Sequence, residues 1–179
     1  LNPLLLLQKM LTLFSSNCEK ASLNLLLLIF NVIQNICHFY PNDVLESELF
    51  SPIIDLTLSL SSYLYQPDDS LSLSYSDFFE SVYSDLCISD EVLQAMWEAI
   101  TKVTTSEDGR FYACCSLHAT LRNFPSFFDD KLIEISELLC VSLSEGKKLL
   151  CEAAARTATV FIDLYKQELE VSNEIIFAV

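Results

Sequence analysis

The residues best suited to chemistry are few. Cys114 and His118 stand four apart, on one face of a helix if the segment is helical, with Cys115 adjacent; Cys37 and His38 form a second thiol–imidazole neighbour pair. A structural zinc site takes four convergent ligands and is usually announced by a Cys-x-x-Cys pair, which this chain lacks. A Cys–His nucleophile needs an orienting partner and an oxyanion hole, and no motif supplies either. Gly146-Lys147-Lys148 lacks the upstream glycine of a phosphate-binding loop. Thr104 and Thr105 stand three before Glu107 and Asp108, a spacing that acidophilic kinases favour and that helix capping explains more simply. The expectation is therefore no catalytic residue, no cofactor and no metal, with thiols packed as small hydrophobes.

The elements that carry these residues are helices. Apolar spacing predicts helices over 92–103, 110–123, 132–143 and 147–165, with turns at Ser106-Glu107-Asp108-Gly109 and Ser144-Glu145-Gly146. The only two glycines of the chain fall in those turns. A shift of 39 residues pairs Leu93 with Leu132, Met96 with Ile135, Ala99 with Leu138 and Ile100 with Leu139. Beyond the turn it pairs Phe111 with Leu150, Cys115 with Ala154, Ala119 with Ala158 and Leu121 with Val160. Two units, 90–124 and 129–166, thus share one helix–turn–helix pattern, and a two-helix period of this length is the mark of a helical solenoid.

The first half is written less regularly. Helices are predicted over 1–14, with Pro3 in the opening turn, and over 19–39, separated by a polar break at Ser15-Ser16-Asn17. The second should be buried on more than one side, since Leu25, Leu28, Ile29 and Ile36 widen its apolar face. Shorter helices are expected over 44–49, over 51–65 behind Ser51-Pro52, and over 77–88. The alternation from Leu56 to Ser61 equally suits a strand; the capping pair and the neighbouring helices favour helix. Phe39-Tyr40-Pro41 with Asn42-Asp43 and Asn123-Phe124-Pro125 with Asp129-Asp130 are similar phrases. Their prolines lie 84 residues apart, two periods of about 42.

The 179 residues suffice for one continuous core. The longest apolar run, 23–39, carries Asn24, Asn31, Gln34, Asn35 and His38, so a buried helix is expected rather than a membrane span. No basic start or small-residue cleavage site suggests a signal peptide. Seven dispersed cysteines fit reduced thiols in the cytoplasm or nucleus. The start at Leu1 and the apolar end at Ile175–Val179 suggest a piece of a longer array.

The two-helix period, the Ser-Glu-Gly turns and the small-residue helix Cys151-Glu152-Ala153-Ala154-Ala155-Arg156 resemble HEAT repeats, within the HEAT/armadillo-like group. The resemblance covers 90–165 well and 1–88 loosely, without the Asp-Val pair and early proline of the motif. It implies an all-α, right-handed α-solenoid of about four stacked helix pairs. By likeness to such arrays, including transport receptors of the importin-β class, it implies a non-enzymatic protein-binding scaffold. The alternative class is a helical flanking or regulatory region of a larger enzyme whose catalytic domain lies outside this chain.

Charge is the one functional clue. Between Lys20 and Lys102 there is no Lys or Arg, while Asp43, Glu46, Glu48, Asp55, Asp68, Asp69, Asp77, Glu80, Asp85, Asp90, Glu91 and Glu98 fall in that span. Two readings stand: acidic residues that keep an apolar chain in solution, or a one-signed surface that recruits a basic protein segment. On the second, Asp68, Asp69, Asp77, Glu80, Asp85, Asp90 and Glu91 are the candidate partner-binding residues. Direct nucleic-acid binding is disfavoured by either, because phosphate contacts need clustered cations. Arg110, Arg122, Lys147, Lys148, Arg156 and Lys166 gather on the second helices of the two units. Lys148, Glu152 and Arg156, four apart, more simply form an intrahelical ion-pair ladder.

Overall fold

The computed structural model describes residues 2–17, 23–53, 55–56, 81–82, 85 and 90–177, with side chains as far as Lys166 except those of residues 17, 23 and 26. Every regular element among them is helical, so the chain is all-α there. The stretch 66–76 and most of the helices expected over 51–65 and 77–88 lie outside the described residues. The described parts of those two helices, at 51–53, 55–56, 81–82 and 85, are helical.

Helix α1 spans Pro3–Asn17. Asn2 caps it, its side-chain oxygen accepting from the Leu4 amide at 3.0 Å, and Pro3 sits where no amide is needed. Leu7, Leu11 and Phe14 face the core. The expected break at Ser15-Ser16-Asn17 is helical instead. Ser15 and Ser16 return their hydroxyls to the carbonyls of Leu11 and Thr12, at 2.9 and 2.8 Å, so neither competes with the helix. Helix α2 covers Leu23–Phe39, packs on α1 and α3, and buries Ile29, Phe30, Ile33, Ile36 and Cys37. Of the four residues expected to widen its buried face, Ile29 and Ile36 are buried, whereas Leu28 is 60% exposed and Leu25 44%. Helix α3, Pro41–Glu46, begins at the proline rather than at Val44, because a proline is tolerated in a first turn and Asp43 favours that end.

The second half holds α4 (Asp90–Val103), α5 (Glu107–Leu121), a 3₁₀ turn at Pro125–Phe127, α6 (Leu132–Ser144) and α7 (Lys148–Phe177). Helix α7 breaks its backbone at Tyr165 (φ −114°, ψ 21°), where the sequence predicts its end, and then continues. Helix α5 begins at Glu107, three residues before the expected start. Ser106 is its cap, accepting from the Gly109 amide at 3.2 Å, and neither Thr104 nor Thr105 takes that role. Gly109 therefore lies inside the first turn of a helix. A Cβ there would sit 1.9 Å from the Val103 carbonyl oxygen, so this glycine answers to close approach. Gly146 has φ 70° and open space around it, and so serves a left-handed turn.

Burial follows the 39-residue shift. Leu93, Met96, Ala99 and Ile100 are buried; so are their shifted counterparts Ile135, Leu138 and Leu139, while Leu132 is half-buried. Phe111, Cys115, Ala119 and Leu121 are buried, as are Leu150, Ala154 and Val160, while Ala158 is half-buried. Helix α5 packs on α4, on α6 and most extensively on α7, and α6 packs on α7. No residue of α5 is exposed. Both helices of the tight α5–α7 pair carry small buried residues, Ala113, Cys114 and Ala119 on α5 and Ala153, Ala154 and Thr157 on α7. The Thr157 hydroxyl lies 2.8 Å from the Cys114 carbonyl across that interface.

The two aromatic–proline phrases fold alike. Tyr40 (φ −134°, ψ 46°) and Phe124 (φ −135°, ψ 50°) each precede a helical turn opened by proline. Each amide closes the preceding helix, onto Ile36 at 2.9 Å and onto Thr120 at 3.0 Å. The hydrophobic cluster is continuous from Leu7 to Tyr165.

Candidate functional site

Of the seven carboxylates singled out for a partner, Asp68, Asp69, Asp77 and Glu80 lie outside the described residues. The other three do not form one cluster of equals. Asp85 reaches back to α2, its carboxylate 3.1 Å from His38 Nδ1. Asp90 and Glu91 are exposed in the first turn of α4, where the helix dipole favours negative charge. Asp43, Glu46, Glu48, Asp55 and Glu98 are exposed as well.

The thiols are placed by packing. Most of the thiols were expected to be buried; among the described ones Cys37, Cys114 and Cys115 are buried, Cys151 is half-buried, and Cys140 stands exposed on α6. Burial pushes the Cys114 thiol from 9.0 up to about 12, against a weaker opposing pull from its contact with the Ser142 hydroxyl at 3.9 Å. Burial, then the Asp85 carboxylate, does the same for Cys37. A nucleophilic cysteine requires the opposite shift, so neither thiol is activated. Among the described residues no three His, Cys, Asp or Glu side chains converge, and no helix is long and apolar enough to cross a membrane.

Two of the basic residues are structural. Arg110 is nearly buried: Nη1 donates to the Thr104 carbonyl at 2.8 Å and Nη2 pairs with the Glu145 carboxylate, while Nε is buried without an acceptor among the described residues. Lys131 lays its ammonium 4.5 Å from the Phe127 ring and 5.9 Å from that of Trp97. It also bonds the Asp130 carboxylate at 2.5 Å, which holds that exposed carboxyl below its usual range. Arg122, Lys147, Lys148, Arg156 and Lys166 are exposed.

A groove of about 320 Å³ lies between α4 and α6. Trp97, Ile100 and Thr101 of α4 form one wall, Glu134, Glu137, Leu138 and Val141 of α6 the other, and Thr104 with Arg110 closes it. Helices α4 and α6 approach each other little, in contrast to the tight α5–α7 pair, and bulky Trp97, Ile100 and Leu138 line the gap. Sequence reasoning missed this groove because its walls are 40 residues apart. The spacing Glu134, Glu137, Val141 on one face, and the sole tryptophan opposite, are the signals that mark it.

No protein-family model, curated protein or solved structure matches the chain, so its reading rests on the residues themselves.

Proposed function

We propose that the chain is a non-enzymatic protein-binding segment of a HEAT/armadillo-like α-solenoid, in which α4–α5 and α6–α7 are successive repeats. Its acidic side recruits a basic segment of a partner protein, as a transport receptor or assembly scaffold of the cytoplasm or nucleus does. The repeat reading is supported by the shared burial of the residues paired by the 39-residue shift and by the matching corners at Tyr40 and Phe124.

One observation carries the functional reading. Twelve acidic residues lie between Lys20 and Lys102 with no Lys or Arg among them, and Asp43, Glu46, Glu48, Asp90, Glu91 and Glu98 are exposed. A field of one sign raises the encounter rate with its opposite, and a cationic partner relieves the self-repulsion of the free chain. The test is the association rate with a lysine- and arginine-rich peptide, measured by stopped flow over rising salt. It should fall steeply as the Debye length shrinks from about 10 Å at 0.1 M to about 3 Å at 1 M. Replacing Asp68, Asp69, Asp77 and Glu80 by Asn or Gln should slow association several-fold at low salt without unfolding the chain. Rates indifferent to both changes would leave the carboxylates as a solubilising coat.

A further inference from the structure

We infer that the groove between α4 and α6 is a docking seat for an apolar side chain of a protein partner, flanked in that partner by Lys or Arg; the inference rests on the proposed recruitment of a basic segment. The lining is largely apolar, with Trp97 and Ile100 on one wall and Leu138 and Val141 on the other. Its volume, about 320 Å³, falls at the lower end of the range in which pockets hold ligands. The rim is acidic. Glu134 and Glu137 are exposed on one face of α6, and no cation of the described residues lies within ion-pair distance of either.

Two cations stand beside the groove and both are already committed. Lys131, three residues before Glu134, lies over Trp97 and bonds Asp130. Arg110 closes the groove but spends its charge on Glu145 and the Thr104 carbonyl, so it does not neutralise the rim. An apolar wall edged by two uncompensated carboxylates matches a peptide that alternates apolar and basic residues. A purely apolar peptide would leave both charges unanswered, and a purely basic one would leave Trp97 and Val141 in water. Aromatic anchors of this kind commonly dominate docking energy.

Trp97 is the only tryptophan of the chain, so its emission reports a single site, the groove wall and the Phe128 and Lys131 packed beside it. The full chain is titrated with a short synthetic peptide of alternating leucine and lysine, and with a control carrying serine for leucine. The leucine peptide is expected to shift Trp97 emission saturably and to bind more tightly than the control. Glu134→Gln with Glu137→Gln should weaken it by roughly threefold to tenfold, the range expected for two exposed charge pairs. Val141→Arg, at an exposed position, should abolish it while circular dichroism stays unchanged. Equal binding of both peptides with silent Trp97 emission overturns the groove and leaves acidic recruitment standing; so does unchanged binding in V141R. Failure of both peptides at low salt overturns the two together.

Discussion

Arg110 and Glu145, 35 residues apart, tie the two inter-helix turns of the second half together, since the same guanidinium also holds the Thr104 carbonyl. A forked, planar cation can span two acceptors in different turns; a lysine ammonium offers one point of charge. Arg110→Ala should cost about 1–3 kcal/mol, and Arg110→Lys should recover less than half of it. Urea denaturation of the three proteins checks this. Equal stability of the lysine variant and the wild type would mean that the second bond contributes nothing.

The two glycines should respond differently to alanine. At Gly146 the cost is conformational, about 1–2 kcal/mol, because φ is 70° and nothing crowds the position. At Gly109 the added carbon meets the Val103 carbonyl at 1.9 Å, so the turn itself must move. The loss should be about 3 kcal/mol or more, and Gly109→Ala should also alter the Trp97 environment through the displaced end of α4. Thermal melts of both variants, read by circular dichroism, order the two costs.

The buried thiols make the fold sensitive to base. Cys37 and Cys114 have folded-state values raised from 9.0 to about 12, so both are neutral in either state below pH 9 and their contribution is complete there. Between pH 9 and about 12 the unfolded chain loses protons that the folded chain keeps. Stability then falls by about 1.4 kcal/mol per pH unit for each thiol. The variant Cys37→Ala with Cys114→Ala should flatten that slope, measured as the urea midpoint at about pH 8 and about pH 10. Alkylation at neutral pH should modify exposed Cys140 well before either buried thiol.

Thr157 places one hydroxyl between two carbonyls, that of Ala153 on its own helix at 2.9 Å and that of Cys114 on α5 at 2.8 Å. Thr157→Val keeps the shape and deletes the donor from a buried site. It should cost about 1–2 kcal/mol, and Thr157→Ser should cost less. If valine proves as stable as threonine, the α5–α7 contact is held by packing alone.

How far the sequence could be read depended on what each feature asks of the chain. The helices of the second half were legible because Leu93, Met96 and Ile100, and again Ile135, Leu138 and Leu139, recur at helical spacing and lie in the core. Their ends were less so. Gly109 resembles a turn residue in composition, yet it sits inside a helix, and only the carbonyl above it reveals why. Ser15 and Ser16 read as a break until their hydroxyls are seen bonded one turn back. The acidic span was plain from counting, but the pairing of Asp85 with His38 and the groove beside Trp97 depend on segments 47 and about 40 residues apart. No local pattern encodes such meetings.

Helix α5 has no exposed residue anywhere along its length. On a surface helix, half the positions are free to drift so long as they stay polar, and ancestry is recognised by the periodicity that survives. Here most positions are fully buried and answer to the volume of a neighbour: Cys114 to Ser142 of α6, Leu117 and Leu121 to the core. Evolutionary memory in this segment is therefore stored as size rather than as an alternation of polar and apolar. A distant relative would betray itself by small residues where α5 meets α7, long after its charges and its turns had become unrecognisable.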